Sequence, residues 1–143
     1  MEVLKYLHEH GRPWDTQTCI CSANKGQLET LKYAHENGCS WDYRTCEAVA
    51  YGGHLEVLKY LHEMDCPWDE VIYWAAAEGG HLEVLKYAHE NGCPGWNENL
   101  YHELCDIVER RLRSRNSKYQ KNRVSAEKKE VYKGILLYVK ENT

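Results

Sequence analysis

The sequence predicts an all-α chain built by repetition, with helical hairpins stacked on one another. Three observations carry that prediction. Lys5-Tyr6, Lys32-Tyr33, Lys59-Tyr60 and Lys86-Tyr87 are spaced by 27 residues, and His8, His35, His62 and His89 keep the same step. Within each period apolar residues recur at three- and four-residue steps, the mark of one helical face. Glycine and aspartate stand where such helices must end and begin. A fixed period of this length indicates stacked units, because a single hairpin cannot bury its apolar face alone.

The elements follow in order. "MEVLKYLHE" at residues 1 to 9 reads as a second helix with no first helix before it, Met1 falling where later copies have Leu28, Leu55 and Leu82. Val3, Leu4 and Leu7 would then form an incompletely covered edge, which invites self-association. Asp15, Asp42 and Asp69 are the expected N-caps of the first helices, accepting from unpaired first-turn amides. Trp14, Trp41 and Trp68 precede them as hydrophobic staples, and Trp96 arrives one residue late, after an extra Gly95. The small residues of "EAVAYGG" and "WAAAEGG" let neighbouring helices approach closely. The second helices are "GQLETLKYAHE", "GHLEVLKYLHE" and "GHLEVLKYAHE", from residues 26, 53 and 80. They close near Gly38 and Gly92 as left-handed caps, with Asp65 at the corresponding place between them.

After residue 96 the pattern degenerates. Asn97 is the expected cap of a helix through "LYHELCDIVERRL". "ILLYVKEN" at 135 to 142 can be laid over a second helix with Tyr138 in the tyrosine's place, 51 residues after Tyr87, or one period and 24 more. That excess is either an insertion between the last two helices or a lengthening of them. Val131, Ile135 and Val139 give one apolar face, broadened by Tyr132, Leu136 and Tyr138, which would close the stack. Residues 1–96 are thus read as repeats, and 97–143 as a divergent capping unit with a basic insertion near 110–125.

The repeats resemble the ankyrin family. "GHLEVLKYLHEMDC" and "GHLEVLKYAHENGC" look like its second helix and turn, and Ala76, Ala77, Gly80 and His81 match the end of its first helix. The resemblance covers about residues 1 to 96. It departs in two ways: the family period is about 33 residues, and the Thr-Pro-Leu-His start is replaced by "RTCEAVA" and "VIYWAAA". The missing residues are those of the projecting β-turn finger. The resemblance therefore implies an ankyrin-type helical-hairpin solenoid with shortened fingers, in a style similar to ankyrin proteins of large DNA viruses and protists. It also implies a concave binding face lined by first helices. The variable positions there are Gln17, Asn24 and Lys25, then Arg44, Glu47 and Tyr51, then Glu70, Trp74 and Glu78. The last two groups are the candidate partner-binding residues, with Tyr51 and Trp74 as anchors, since aromatic side chains carry much interface energy. Trp74 could equally fill space beside Ala75 and Ala76.

Charge is asymmetric. Residues 1–96 carry 7 basic and 15 acidic side chains, whereas residues 97–143 carry 11 basic and 7 acidic. The candidate basic patch is Arg110, Arg111, Arg113, Arg115, Lys118, Lys121 and Arg123. It is read as a solvated helix end, a dock for an acidic partner that includes another copy's repeat body, or a nucleic-acid or nuclear-import contact that would be strongly salt-dependent.

Chemistry is not written in the chain. His35 and Cys39, His62 and Cys66, and His89 and Cys93 have the four-residue spacing of paired metal ligands, but successive helices lie roughly 8 to 10 Å apart and would not converge on one ion. A structural role is expected, with no metal and no cofactor. No nucleophile elbow, phosphate loop or HExxH motif is present, so the chain is read as no enzyme. Seven cysteines, three of them at the repeat period, suit a reducing compartment and equivalent places rather than bridging pairs. No run approaches the roughly 18 to 20 apolar residues of a membrane span. The expectation is an intracellular, cytoplasmic scaffold or adaptor that binds another protein, with a nuclear place left open. A self-assembling component joined through the N-terminal edge, or a nucleic-acid-associated protein, stands as the alternative.

Overall fold

The computed structural model describes residues 2–11, 14–113 and 126–143. Among these residues the secondary structure is entirely helical: α1 Glu2–Glu9, α2 Thr16–Asn24, α3 Leu28–Glu36, α4 Tyr43–Gly52, α5 Leu55–Glu63, α6 Val71–Gly79, α7 Leu82–Glu90, α8 Glu98–Arg113 and α9 Ala126–Glu141. Helices α2 and α3, α4 and α5, α6 and α7, and α8 and α9 pack as hairpins. The first members touch in sequence, α2 on α4 on α6 on α8, and α5, α7 and α9 form a second row behind them. The 24 extra residues of the last unit include a lengthening of its helices, since α8 and α9 have 16 residues each.

Caps follow the sequence. Asp15 accepts from the Thr18 amide at 2.8 Å, Asp42 from Arg44 at 3.0 Å, Asp69 from Val71 at 3.0 Å and Asn97 from Leu100 at 2.9 Å. The second helices end in the left-handed region, and in the middle unit this falls on Asp65, with φ of 54°. A left-handed L-residue costs about 1–2 kcal/mol, part of which glycine's freer unfolded chain gives back. Asp65→Gly is therefore expected to raise stability by about 1 kcal/mol, read as a higher urea midpoint with an unchanged slope.

The core runs between the rows. Leu31, Leu58 and Leu85, one period apart, are each completely buried, and Tyr132, Ile135 and Val139 continue it in α9. Ile135 and Val139 are buried as expected of the α9 stripe, whereas Val131 is only half-buried and Tyr132 beside it takes the buried place. The edge expected of Val3, Leu4 and Leu7 falls on side chains outside the described residues.

Two contacts repeat between neighbouring units. The histidine at the head of a second helix lies over the glycine turn of the unit before and reaches a carbonyl at the end of that unit's first helix. His54 Nε2 sits 2.8 Å from Asn24 O, and His81 bonds the Tyr51 carbonyl. In α9 the same place is taken by Tyr132, whose hydroxyl donates to Glu78 O at 3.1 Å with its ring against Gly80. The second contact is aromatic. His35 stacks on Trp41 at 3.6 Å, and Trp41 meets Tyr60 of the next unit edge-on at 6.1 Å. His62, Trp68 and Tyr87 repeat this arrangement, as do His89, Trp96 and Tyr138.

The histidine clip makes stability depend on pH. Burial of the His81 ring disfavours its charged form and holds its pKa below the usual 6.5, and Lys128 and His54 nearby push the same way. A base with a depressed folded pKa binds a proton more readily when unfolded. Its stabilisation is complete above about pH 6.5 and is lost as pH falls from there through the folded value. His81→Gln should flatten this part of the stability profile between about pH 7.5 and about pH 5, measured by urea unfolding across that range.

Candidate functional site

The first helices carry the same four positions on one open face. Arg44, Glu47, Ala48 and Tyr51 of α4 recur one period later as Val71, Trp74, Ala75 and Glu78 of α6, and Gln17 and Ile20 precede them on α2. These ten residues line one groove of about 570 Å³. Its spacing of i, i+3, i+4 and i+7 is one helical stripe on each helix, and the period aligns the stripes side by side. Small residues at Ala48 and Ala75 open the groove, and Ile20, Val71, Tyr51 and Trp74 supply apolar walls. Tyr51 is 53% exposed. Trp74 packs against the core, and its indole Nε1 is shielded from solvent with no hydrogen-bond partner among the described residues.

Charge at the groove is mostly settled within the chain. Arg44 closes on Asp42 through Nε at 2.9 Å and a second guanidinium nitrogen at 2.8 Å. Those bonds hold the Asp42 carboxyl below the usual carboxylate range and raise the Arg44 guanidinium. Glu78 accepts from Arg111 Nε at 2.7 Å and from its terminal nitrogen, and Arg110 lies 3.6 Å away. Glu47 has no ion-pair partner among the described residues. An apolar, aromatic trough with one uncompensated carboxylate is the result.

The structure brings together five of the six sequence-derived candidates, Arg44, Glu47, Tyr51, Trp74 and Glu78. Glu70 stands apart, its side chain lying against Gly95 in the link after α7. The reason is register: Glu70 precedes the first turn of α6, one step before the stripe begins at Val71. Sequence reasoning missed Ile20, Ala48, Val71 and Ala75, although their positions one period apart on the same faces were there to be read. In the basic patch, Arg110 and Arg111 fold back on Glu78, and Arg113 pairs with Glu109 on its own helix at 2.5 Å. Arg115, Lys118, Lys121 and Arg123 lie outside the described residues. One acidic side chain of the repeat body, Glu78, is thus met by Arg110 and Arg111 of the same chain.

Comparison of the chain with family models, with curated proteins and with solved structures gave no match. The geometry therefore carries the functional reading.

The repeat histidines stack on Trp14, Trp41, Trp68 and Trp96. The expectation that the cysteines hold equivalent places rather than bridging pairs is revised. The cysteines do meet in pairs, at a separation of 20 residues: Cys19 and Cys39 form a disulfide with Cα atoms 6.8 Å apart, and Cys46 Sγ lies 3.2 Å from Cys66 Sγ. Attention to the 27-residue step alone hid that pairing, because each pair lies within one unit, between a first helix and the link after the second. In the third unit Tyr73 replaces the helical cysteine, and its hydroxyl donates to the Cys93 carbonyl at 2.7 Å. Among the described residues no helix is long and apolar enough to cross a membrane.

Proposed function

We propose that the chain is an ankyrin-type solenoid with shortened fingers that binds another protein, without chemistry, in the groove across α2, α4 and α6. The observation that carries this reading is the alignment of one helical stripe from three successive helices into a single apolar trough. The trough is supplied by helices already packed into the core, so little ordering is needed on association. Trp74 and Tyr51 offer the large aromatic surface that dominates interface energy. Glu47 selects a partner segment with a basic residue beside its apolar anchor, because burying that carboxylate against a neutral surface would cost its hydration.

Peptide display panned against the chain tests the reading. Enriched peptides are expected to carry an aliphatic or aromatic anchor with Lys or Arg next to it. Binding of a synthesised winner should weaken about tenfold in Glu47→Lys, or about 1.4 kcal/mol, and about 30-fold or more in Tyr51→Ala, about 2 kcal/mol. Both side chains are exposed enough for the fold to survive, which unchanged circular dichroism would verify. Peptides that bind both variants as well as the parent chain would place the interaction elsewhere.

A further inference from the structure

We propose that Cys46 and Cys66 are an oxidisable pair, which a hydroperoxide closes into a disulfide that staples α4 to the end of α5. The inference stands apart from the groove reading and does not need it. Three observations carry it. The two sulfurs are in direct contact at 3.2 Å, Cys46 being fully buried on α4 and Cys66 4% exposed in the link after α5. The register-equivalent residues one unit earlier, Cys19 and Cys39, already form such a staple. In the unit after, Tyr73 occupies the helical position, so Cys93 faces no thiol and serves as an internal control.

The chemistry balances with a hydroperoxide as the only added reagent. The Cys66 sulfur attacks the peroxide oxygen, forming an S–O bond and breaking the O–O bond. Cys66 becomes a sulfenic acid, and the peroxide is reduced to water or an alcohol. The Cys46 sulfur then attacks the sulfenyl sulfur, the S–O bond breaks, and the departing hydroxide takes the Cys46 proton as water. Two thiols have lost two electrons, and the hydroperoxide has gained them. Cys66 reacts first because it is the partner with any solvent access. Cys46 resolves the intermediate at contact distance before a second peroxide can oxidise Cys66 further. The staple would fix α4, whose opposite face carries Arg44, Glu47 and Tyr51.

The test uses the full chain with Cys21→Ser and Cys105→Ser, which removes the free thiols that are not fully buried. It is treated with hydrogen peroxide, denatured, alkylated and cleaved with trypsin, and the sites at Arg44 and Lys59 put Cys46 and Cys66 on separate peptides. The expected product joins those two peptides, two hydrogens lighter than their sum, with Cys93 recovered alkylated. Recovery of Cys46 and Cys66 both alkylated, or Cys66 joined to any other cysteine, overturns the proposal. In a Cys46→Ser variant the Cys66 sulfenic acid should persist and be trapped by dimedone several-fold more than in the parent. Equal trapping in the two would show that Cys46 does not resolve it.

Discussion

Gly53→Ala is expected to cost about 3 kcal/mol, far more than one methyl group suggests, because two penalties coincide there. Gly53 ends α4 with φ of 74°, a conformation that costs an L-residue about 1–2 kcal/mol. A Cβ at this position would also stand 2.3 Å from His81 Nδ1 and 2.5 Å from Cε1. The ring cannot simply turn aside, since its other edge bonds the Tyr51 carbonyl. Displacing it leaves that carbonyl unsatisfied at the interface between units, worth about 1–3 kcal/mol. Gly92→Ala is the matched control. Its φ is also 74°, yet none of the described residues lies within 4 Å of its added Cβ, so it should cost only about 1 kcal/mol. Urea unfolding of both variants measures the difference. Equal costs would mean that the histidine clip contributes nothing; in a His81→Ala background the penalty of Gly53→Ala should shrink towards that of Gly92→Ala.

The contrast between those glycines shows what repetition discloses and what it hides. The period says which residues are equivalent, and local chemistry says what each does within its own helix. Asp15, Asp42, Asp69 and Asn97 were legible as caps for that reason, and so were the leucines of the buried stripe. The period does not say which residues touch across units. His54 and His81 were visible as a repeated Gly-Gly-His turn, but their partners are carbonyls 30 residues earlier, outside any local rule. His62 and Trp68 were each recognised, whereas their stacking and the edge contact to Tyr87 needed the fold. The groove was half legible: variable positions on first helices identified its polar and aromatic members, while its alanine floor looked like packing. Glu70 lies on the first helix's side of the link but one residue before the stripe that begins at Val71, a register that membership of a helix does not by itself disclose. Least legible was the pairing of Glu78 with Arg110 and Arg111, because net charge by segment records an asymmetry without saying which side chains meet.

Trp68→Ala is the second large effect, expected at roughly 3 kcal/mol, the low end of the range for emptying a large aromatic core site because Trp68 is partly buried. Trp68 stacks on His62 of its own unit at 4.0 Å and meets Tyr87 of the next edge-on at 6.3 Å. About 1 kcal/mol of the loss should be specific to the aromatic pairing, obtainable from a double-mutant cycle with Tyr87→Leu. Position matters as much as size. Contacts in this chain run mainly between neighbouring units, so Trp68 sits where two hairpins on one side are joined to two on the other. Cutting a central junction in such a chain weakens the coupling between its halves. Trp68→Ala is therefore expected to lower the slope of the urea transition as well as its midpoint, because one half can unfold before the other. Trp14→Ala, near the first unit and with an indole nitrogen that is buried without a partner among the described residues, removes an unsatisfied group together with its apolar area. It should cost less and leave the slope unchanged. Equal costs and equal slopes for the two would mean that the tryptophans act as independent fillers, and that the units are held together by the first-helix row alone.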